Sequence, residues 1–176
     1  MLVVNLFGAP GAGKSTGAAY VFSKLKLEGF NAELVTEFAK DKVWEESKAV
    51  FDNQVYIFGK QYFRISKLEG KVDIVVTDSP LLLSSFYSTD ELLGDEFNNL
   101  VLKIFNHYDS YNAFINRVKD YNPIGRFQTE EESNKVAENL KWFLMSNGVN
   151  YTDYNGDIYS YNKLVEDIIK AYESCE

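Results

Sequence analysis

The sequence has only one cysteine and three prolines among its 176 residues. The cysteine, Cys175, is the penultimate residue, so it has no partner for an internal disulfide and no neighbours at metal-ligand spacing. We interpret Cys175 as a bystander near the chain terminus. The lack of a disulfide framework favours a protein of the reducing cytoplasm.

Long hydrophobic runs and an excess of basic residues are also missing. No apolar stretch approaches the roughly 20 residues that a membrane-spanning helix needs, and residues 1–15 do not have the form of a signal peptide. The 26 acidic residues outnumber the 18 basic ones, and the net charge of −8 argues against broad electrostatic binding to a polyanion. We therefore expect one globular domain over residues 1–176 with no membrane partner.

What the sequence does have is a glycine-rich motif at its start. Residues 2–16 read LVVNLFGAPGAGKST, which contains the Walker A pattern G-x-x-x-x-G-K-[ST]. An apolar run precedes the motif and a helical segment follows it, and this context turns successive backbone N–H groups toward a phosphate. The motif predicts binding of ATP, which we assign to the whole loop: Gly8, Ala9, Pro10, Gly11, Ala12, Gly13, Lys14, Ser15 and Thr16.

Two residues of the loop have specific expected roles. Lys14 would reach the β- and γ-phosphates, and the Ser15 hydroxyl would be a ligand of Mg²⁺.

Apolar segments alternate between strand and helix patterns, which predicts an α/β fold with a parallel sheet and helices on both faces. The predicted strands are Leu2–Phe7, Ala32–Thr36, Val72–Thr77, Ala113–Val118 and Val149–Thr152. The predicted helices cover residues 18–27, 53–69, 90–106, 129–145 and 161–172. Gly29, Gly70 and Gly148 stand at the ends of three of these helices, as C-terminal cap glycines do.

Polar residues that follow the strands are the informative ones, because ligands of parallel sheets bind at the carboxyl ends of the strands. Glu37 follows the second strand and would accept or orient the proton of an attacking hydroxyl; the alternative is a helix cap. Asp78 follows the apolar third strand as in a Walker B motif and would hold the metal; the alternative is a turn before Pro80.

A short basic segment follows the fourth strand and reads RVKDYNPIGR, residues 117–126. We interpret residues 117–130 as a lid over the triphosphate, with Arg126 and then Arg117 supplying charge to the transition state. The alternative is a solvated loop.

The helix over residues 53–69 carries Gln54, Gln61 and Arg64 near one face. That face would form either an acceptor pocket or a polar outer surface. His107 has the pattern of an ordinary, partly exposed histidine.

Together these segments resemble the kinase domain of the ribosylnicotinamide kinase (NadR-like) family and related AAA-type nucleoside and nucleotide kinases of phages. Four segments carry the resemblance: GAPGAGKST, TEFAKD after strand two, the stretch from Gly59-Lys60-Gln61-Tyr62 to VVTDSPLLLSSFY, and NPIGR before an acidic helix. The resemblance implies a P-loop NTPase three-layer sandwich with five parallel strands in the order 2-3-1-4-5.

The same resemblance implies ATP- and Mg²⁺-dependent phosphorylation of a hydroxyl on a nucleoside- or nucleotide-like acceptor. It places the acceptor carboxylate at Glu37, the metal carboxylate at Asp78 and a lid arginine at Arg126. The chain departs from the family on the acceptor side, at Lys40 and at Ser79-Pro80.

Two other functions stay open at the level of sequence. One is a kinase of a hydroxymethylated base within DNA, which would use a basic groove of Lys40, Lys42, Lys48, Lys60, Arg64 and Lys67. The other is a P-loop ATPase that moves a partner. The sequence leaves a homodimer open as well.

Overall fold

The computed structural model describes residues 1–38, 53–122 and 129–174, and the structural statements below concern those residues. The strands are β1 (Leu2–Phe7), β2 (Ala32–Val35), β3 (Ile74–Thr77), β4 (Asp109–Asn116) and β5 (Thr152–Asn155). The helices are α1 (Lys14–Leu27), α2 (Gln54–Ser66), α3 (Leu82–Tyr87), α4 (Gly94–Phe105), α5 (Glu130–Ser146) and α6 (Ile158–Glu173).

The five strands form one parallel sheet in the order β2-β3-β1-β4-β5, which confirms the predicted order. Every residue of the central strand β1 is buried, as expected of a strand covered on both faces. Val35, Thr77 and Asn5 lie side by side in the register of β2, β3 and β1. The residues that follow these strands therefore meet at one edge of the sheet.

Each face of the sheet is covered by helices, so the domain has three layers. Helices α1 and α6 pack on one face, where Val21, Leu25 and Leu164 are fully buried against the sheet. Helices α2 to α5 contribute to the hydrophobic core on the other face, in which Ile65 and Leu140 are also fully buried. The alternation of β1 side chains between the two cores fixes its register.

The predicted fourth strand is displaced. It begins at Asp109 rather than Ala113 and ends at Asn116 rather than Val118. The polar start is possible because the buried Asn5 amide donates to Ser110 Oγ at 3.3 Å and to Asn112 Oδ1 at 3.0 Å. Hydrophobic periodicity does not predict this part of the strand, because its polar side chains form hydrogen bonds with a neighbouring strand instead of packing in an apolar core.

Other boundaries shift for local reasons. Strand β3 is two residues shorter than predicted and β5 starts three residues later, as a short edge strand with one buried side chain. Helix α6 begins at Ile158 because Asp157 caps it, accepting from Ser160 N–H at 2.8 Å. Helix α4 is shorter than predicted and begins at Gly94, whose φ is +49°.

Helix α3 was not predicted, because six residues after Pro80 are too few for a periodic signal. By contrast, the predicted helix over residues 129–145 is confirmed as α5, and a capping box stands at its start. Thr129 Oγ1 accepts from Glu132 N–H at 3.2 Å, and the Glu132 carboxylate accepts from Thr129 N–H at 2.7 Å. In the described parts of the chain, no helix is long and apolar enough to cross a bilayer.

Candidate active site

The glycine-rich loop between β1 and α1 curves back on itself. Gly8, Gly11 and Gly13 have positive φ angles of 143°, 82° and 101°, which residues with a Cβ rarely adopt. The Lys14 ammonium group lies over the loop and donates to the carbonyls of Gly8 at 2.7 Å and Ala9 at 3.1 Å. The loop leads directly into the N-terminus of α1, so it has the geometry of an anion-binding concavity.

Side chains from α5 and α6 hold this loop from outside. The buried Ser133 hydroxyl donates to the Pro10 carbonyl at 2.8 Å, and the buried Tyr161 hydroxyl donates to the Gly13 carbonyl at 3.0 Å. The Tyr161 ring also lies against Gly17, where a Cβ would come within 2.7 Å of ring carbon Cε1. The loop is thus braced by two helices that lie far from it in sequence.

Glu37 and Asp78, predicted from separate strands, meet at the carboxyl edge of the sheet. The Glu37 backbone N–H donates to Asp78 Oδ1 at 3.0 Å. Asp78 is only 4% exposed, and a carboxylate so deeply buried requires such compensation.

The turn that carries Glu37 has two further supports from α2. Gln61 Oε1 accepts from Phe38 N–H at 3.3 Å, while Gln61 Nε2 donates to Thr77 Oγ1 at 3.3 Å. Arg64 donates to the Thr36 carbonyl at 3.0 Å and stacks on the Phe38 ring at 5.2 Å.

Gln61 fits neither interpretation of the α2 face. It is only 2% exposed, so it belongs neither to an outer surface nor to an open pocket wall. Its side chain instead links the turn after β2 to the end of β3.

Aromatic side chains lie near the turn that carries Glu37. Phe38 and Tyr56 make an edge-to-face contact with ring centroids 5.6 Å apart. Burial of the hydroxyl end and the nearby Glu37 carboxylate raise the pKa of Tyr87 to about 12, so Tyr87 stays a neutral donor at physiological pH. Parts of the Tyr56 and Tyr87 rings remain exposed.

On the other side of the loop lies an open cleft of about 330 Å³. Ligand pockets span roughly 300–1,000 Å³, so the cleft is large enough for a small aromatic ring system. Its lining comes from the loop, α1, the segment after β4 and the turn before α6: Gly11, Ala12, Gly13, Thr16, Tyr20, Arg117, Val118, Lys119, Asp120, Asn122, Gly156, Asp157, Ile158 and Tyr161.

Arg117 forms part of the cleft wall and is held by α5. One nitrogen, Nη2, donates to Asn134 Oδ1 at 2.7 Å and pairs with Glu130 at 3.0 Å. The other nitrogen, Nη1, is buried and has no hydrogen-bond partner among the described residues. The guanidinium also stacks on Tyr121 at 5.1 Å.

Several predicted residues lie elsewhere. Arg126, Cys175 and three lysines of the hypothetical DNA groove, Lys40, Lys42 and Lys48, fall outside the described residues. His107 lies just before β4, at the opposite edge of the sheet from the loop, and pairs with Glu69 at 2.9 Å.

Comparison with known proteins agrees with this architecture. A family model described as an AAA domain matches residues 3–160. The chain belongs to this family. No curated protein matches it in sequence.

Among solved structures, this AAA domain is similar to deoxyadenosine kinase from M. mycoides, solved with bound dATP. The TM-score is 0.58 at 17% identity, and the match covers 96% of this chain and 99% of the kinase chain. The likeness shows that the AAA domain has the P-loop NTPase fold.

Sequence reasoning about this AAA domain missed four residues that shape the loop: Gly17, Ser133, Gly156 and Tyr161. A glycine within the first turn of α1 is the one available signal, since an isolated helical glycine often has a packing reason. Ser133 and Tyr161 have no local signature. A Cβ on Gly156 would collide with the Ala12 carbonyl, a contact that only the folded chain reveals.

Proposed function

We propose that this chain transfers the γ-phosphoryl group of ATP to a hydroxyl of a nucleoside-like acceptor, with Mg²⁺ as cofactor. The observation that carries the proposal is the order of groups along the carboxyl edge of the sheet. Glu37, Asp78, the Lys14 loop, Arg117 and Gly156 follow β2, β3, β1, β4 and β5, which is also their spatial order. Adjacent strands lie about 4.8 Å apart, so an extended nucleotide can span these positions.

The donor side would use the loop and the cleft beside it. Backbone N–H groups of the loop and the Lys14 ammonium group would hold the phosphates. The base would enter the cleft, where Tyr20 and Tyr161 supply aromatic edges.

The residues present fit a magnesium ion. Ser15 is exposed in the first turn of α1 and Asp78 offers a buried carboxylate, so both donors are the hard oxygens that Mg²⁺ prefers. Bound Mg²⁺ would neutralise charge on the phosphate oxygens. Asp78 would hold the ion or its water with the oxygen that does not accept from Glu37.

The acceptor side would lie around Glu37. Its carboxylate would orient the acceptor hydroxyl and take its proton as the phosphorus–oxygen bond forms. The exposed parts of Tyr56 and Tyr87 can stack on a flat base or nicotinamide ring, which favours a nucleoside over an aliphatic alcohol. We infer the same acceptor class from the AAA domain's resemblance to nucleoside kinases.

A panel of acceptors tests the proposal. The purified protein is incubated with radiolabelled ATP and Mg²⁺, and label transfer is measured to nucleosides including ribosylnicotinamide, to nucleotides and to DNA with hydroxymethylated bases. We expect transfer to at least one free nucleoside or nucleotide that exceeds acceptor-free hydrolysis. GTP as donor measures nucleotide preference.

Two lysine variants show whether the phosphate loop is required, one at the loop and one as its matched control. Lys14→Ala should abolish transfer without unfolding the protein, whereas Lys26→Ala, at an exposed position of the same helix, should retain it. Label found only on DNA would show that the acceptor is a base within DNA rather than a free nucleoside or nucleotide. Rapid ATP hydrolysis without transfer to any acceptor would show that the protein is an ATPase rather than a kinase.

A further inference from the structure

We propose that Ser133 and Tyr161 are positioning residues of the phosphate loop, which aim the N–H groups of Gly11 and Lys14 into its concavity. The inference rests on the proposed binding of a nucleoside triphosphate and adds two residues outside the Walker A motif.

The geometry follows from the planar peptide unit. The carbonyl of one residue and the N–H of the next point in opposite directions across a trans peptide bond, and the described peptide bonds are trans. A donor that holds the Pro10 carbonyl from outside therefore directs the Gly11 N–H inward. A donor on the Gly13 carbonyl does the same for the Lys14 N–H.

Ser133 is the donor on the Pro10 carbonyl, at 2.8 Å. It lies in the first turn of α5 and is 1% exposed, so water does not compete for the bond. The same helical turn provides Glu130 and Asn134, which hold Arg117 at the cleft wall. The start of α5 thus sets the position of the loop and of the cleft wall together.

Tyr161 donates to the Gly13 carbonyl at 3.0 Å, as a second donor beside the Gly17 N–H of α1 at 2.8 Å. Burial and the nearby Asp157 carboxylate raise the pKa of Tyr161, so the hydroxyl keeps its proton. The ring is locked between the loop and α1, because a Cβ at Gly13 would lie 2.5 Å from the hydroxyl and one at Gly17 would lie 2.7 Å from the ring.

A third carbonyl of the loop, that of Ala12, packs against the backbone of Gly156. The carbonyls of Pro10, Ala12 and Gly13 are therefore contacted by groups from α5, from the turn before α6 and from α6. The pattern explains how the loop keeps one conformation although its glycines permit many.

The test compares Ser133→Ala and Tyr161→Phe with the wild type. Both changes remove a hydroxyl and leave the rest of the side chain, so packing is retained. Binding of ATP and of tripolyphosphate is measured by calorimetry, since tripolyphosphate has no base and reports the loop alone. Loss of one neutral hydrogen bond corresponds to about three- to tenfold weaker binding, and we expect this loss for both ligands in each variant.

Amide spectra locate the effect. We expect Ser133→Ala to shift the Gly11 amide resonance most and Tyr161→Phe to shift that of Lys14, so each variant is the other's control. In the double variant the two fold-changes should multiply, because the bonds act on separate peptide units. Ser146→Ala and Tyr159→Phe, exposed positions of α5 and α6, should change neither binding nor these resonances.

Unchanged tripolyphosphate affinity in both variants overturns the inference, and so does a loss confined to ATP in Tyr161→Phe, which would indicate a base contact. A wild-type protein that binds tripolyphosphate but transfers no phosphoryl group would refute the proposed function and leave the positioning roles testable by the same titrations. A wild type that binds no phosphate overturns both.

Discussion

The backbone N–H of Glu37 donates a 3.0 Å hydrogen bond to Oδ1 of Asp78. This bond joins the backbone of the proposed acceptor-side residue to the proposed metal carboxylate, although 41 residues separate them in sequence. A substitution that tests the chemical role of either residue should therefore keep this hydrogen bond intact.

Asp78→Asn preserves it, because the asparagine amide oxygen can still accept from Glu37 N–H, and removes only the charge. We expect the Mg²⁺ concentration for half-maximal activity to rise roughly 10–100-fold, the usual scale for a disturbed metal site. The measurement is a Mg²⁺ titration of phosphoryl transfer. Asp73→Asn, on the residue before β3, is the matched control and should leave the titration unchanged. Activity that needs no divalent ion would refute the metal role of Asp78.

Glu37→Gln keeps the backbone bond to Asp78 and removes the basicity of the side chain. We expect ATP binding to stay normal, acceptor phosphorylation to be lost and slow background hydrolysis to survive, since hydrolysis does not need the acceptor base. Parallel assays of transfer and hydrolysis measure this. Glu33→Gln, exposed on β2, should behave as wild type. A parallel fall in transfer and hydrolysis would place Glu37 on the nucleotide or metal instead.

Arg117 and Arg126 should differ in steady-state kinetics. Arg117 is held by Asn134 and Glu130 at the cleft wall, so we expect Arg117→Ala mainly to raise KM for ATP. Arg126→Ala should lower kcat by about a hundredfold, the scale of one transition-state donor at roughly 3 kcal/mol. The reverse pattern, with kcat lost at residue 117 and KM raised at residue 126, would exchange their roles.

Tyr108→Phe should stabilise the protein. The Tyr108 hydroxyl is buried and has no hydrogen-bond partner among the described residues, so its removal should raise the free energy of unfolding by about 1 kcal/mol. Chemical denaturation at neutral pH measures this, with the exposed Tyr159→Phe as control.

The same variant has a defined pH signature. Burial, and after it the Glu69 carboxylate, raise the pKa of Tyr108 from 10.0 to about 12. The unfolded chain therefore loses this proton first as pH rises. Ionisation of Tyr108 therefore costs the wild type no stability below pH 10 and lowers its free energy of unfolding progressively between pH 10 and pH 12. The difference in free energy of unfolding between Tyr108→Phe and wild type should grow between pH 10 and pH 12. A difference that stays constant with pH would contradict the raised pKa of Tyr108.

Local signals predicted those parts of the molecule whose residues are neighbours in sequence. The Walker A loop reads directly from the chain because its glycines, lysine and serine are contiguous. The capping box joins Thr129 and Glu132, which are only three positions apart. The start of strand β4 was predicted too late because the first half of the strand is polar and its side chains accept hydrogen bonds from Asn5 of another strand.

The sequence by itself determined the phosphate loop, the alternation of strands and helices, and the carboxylates that follow β2 and β3. Only the tertiary structure showed that Glu37 bonds to Asp78 and that Gln61 is buried as a brace. Only the folded chain places Ser133 and Tyr161 at the loop, 123 and 148 residues away in sequence from the carbonyls that they bind. Backbone preferences and hydrophobic periodicity depend on residues that are close in sequence, so they can be predicted from the sequence. A hydroxyl that meets a carbonyl on another element does so only after the sheet and its helices have packed.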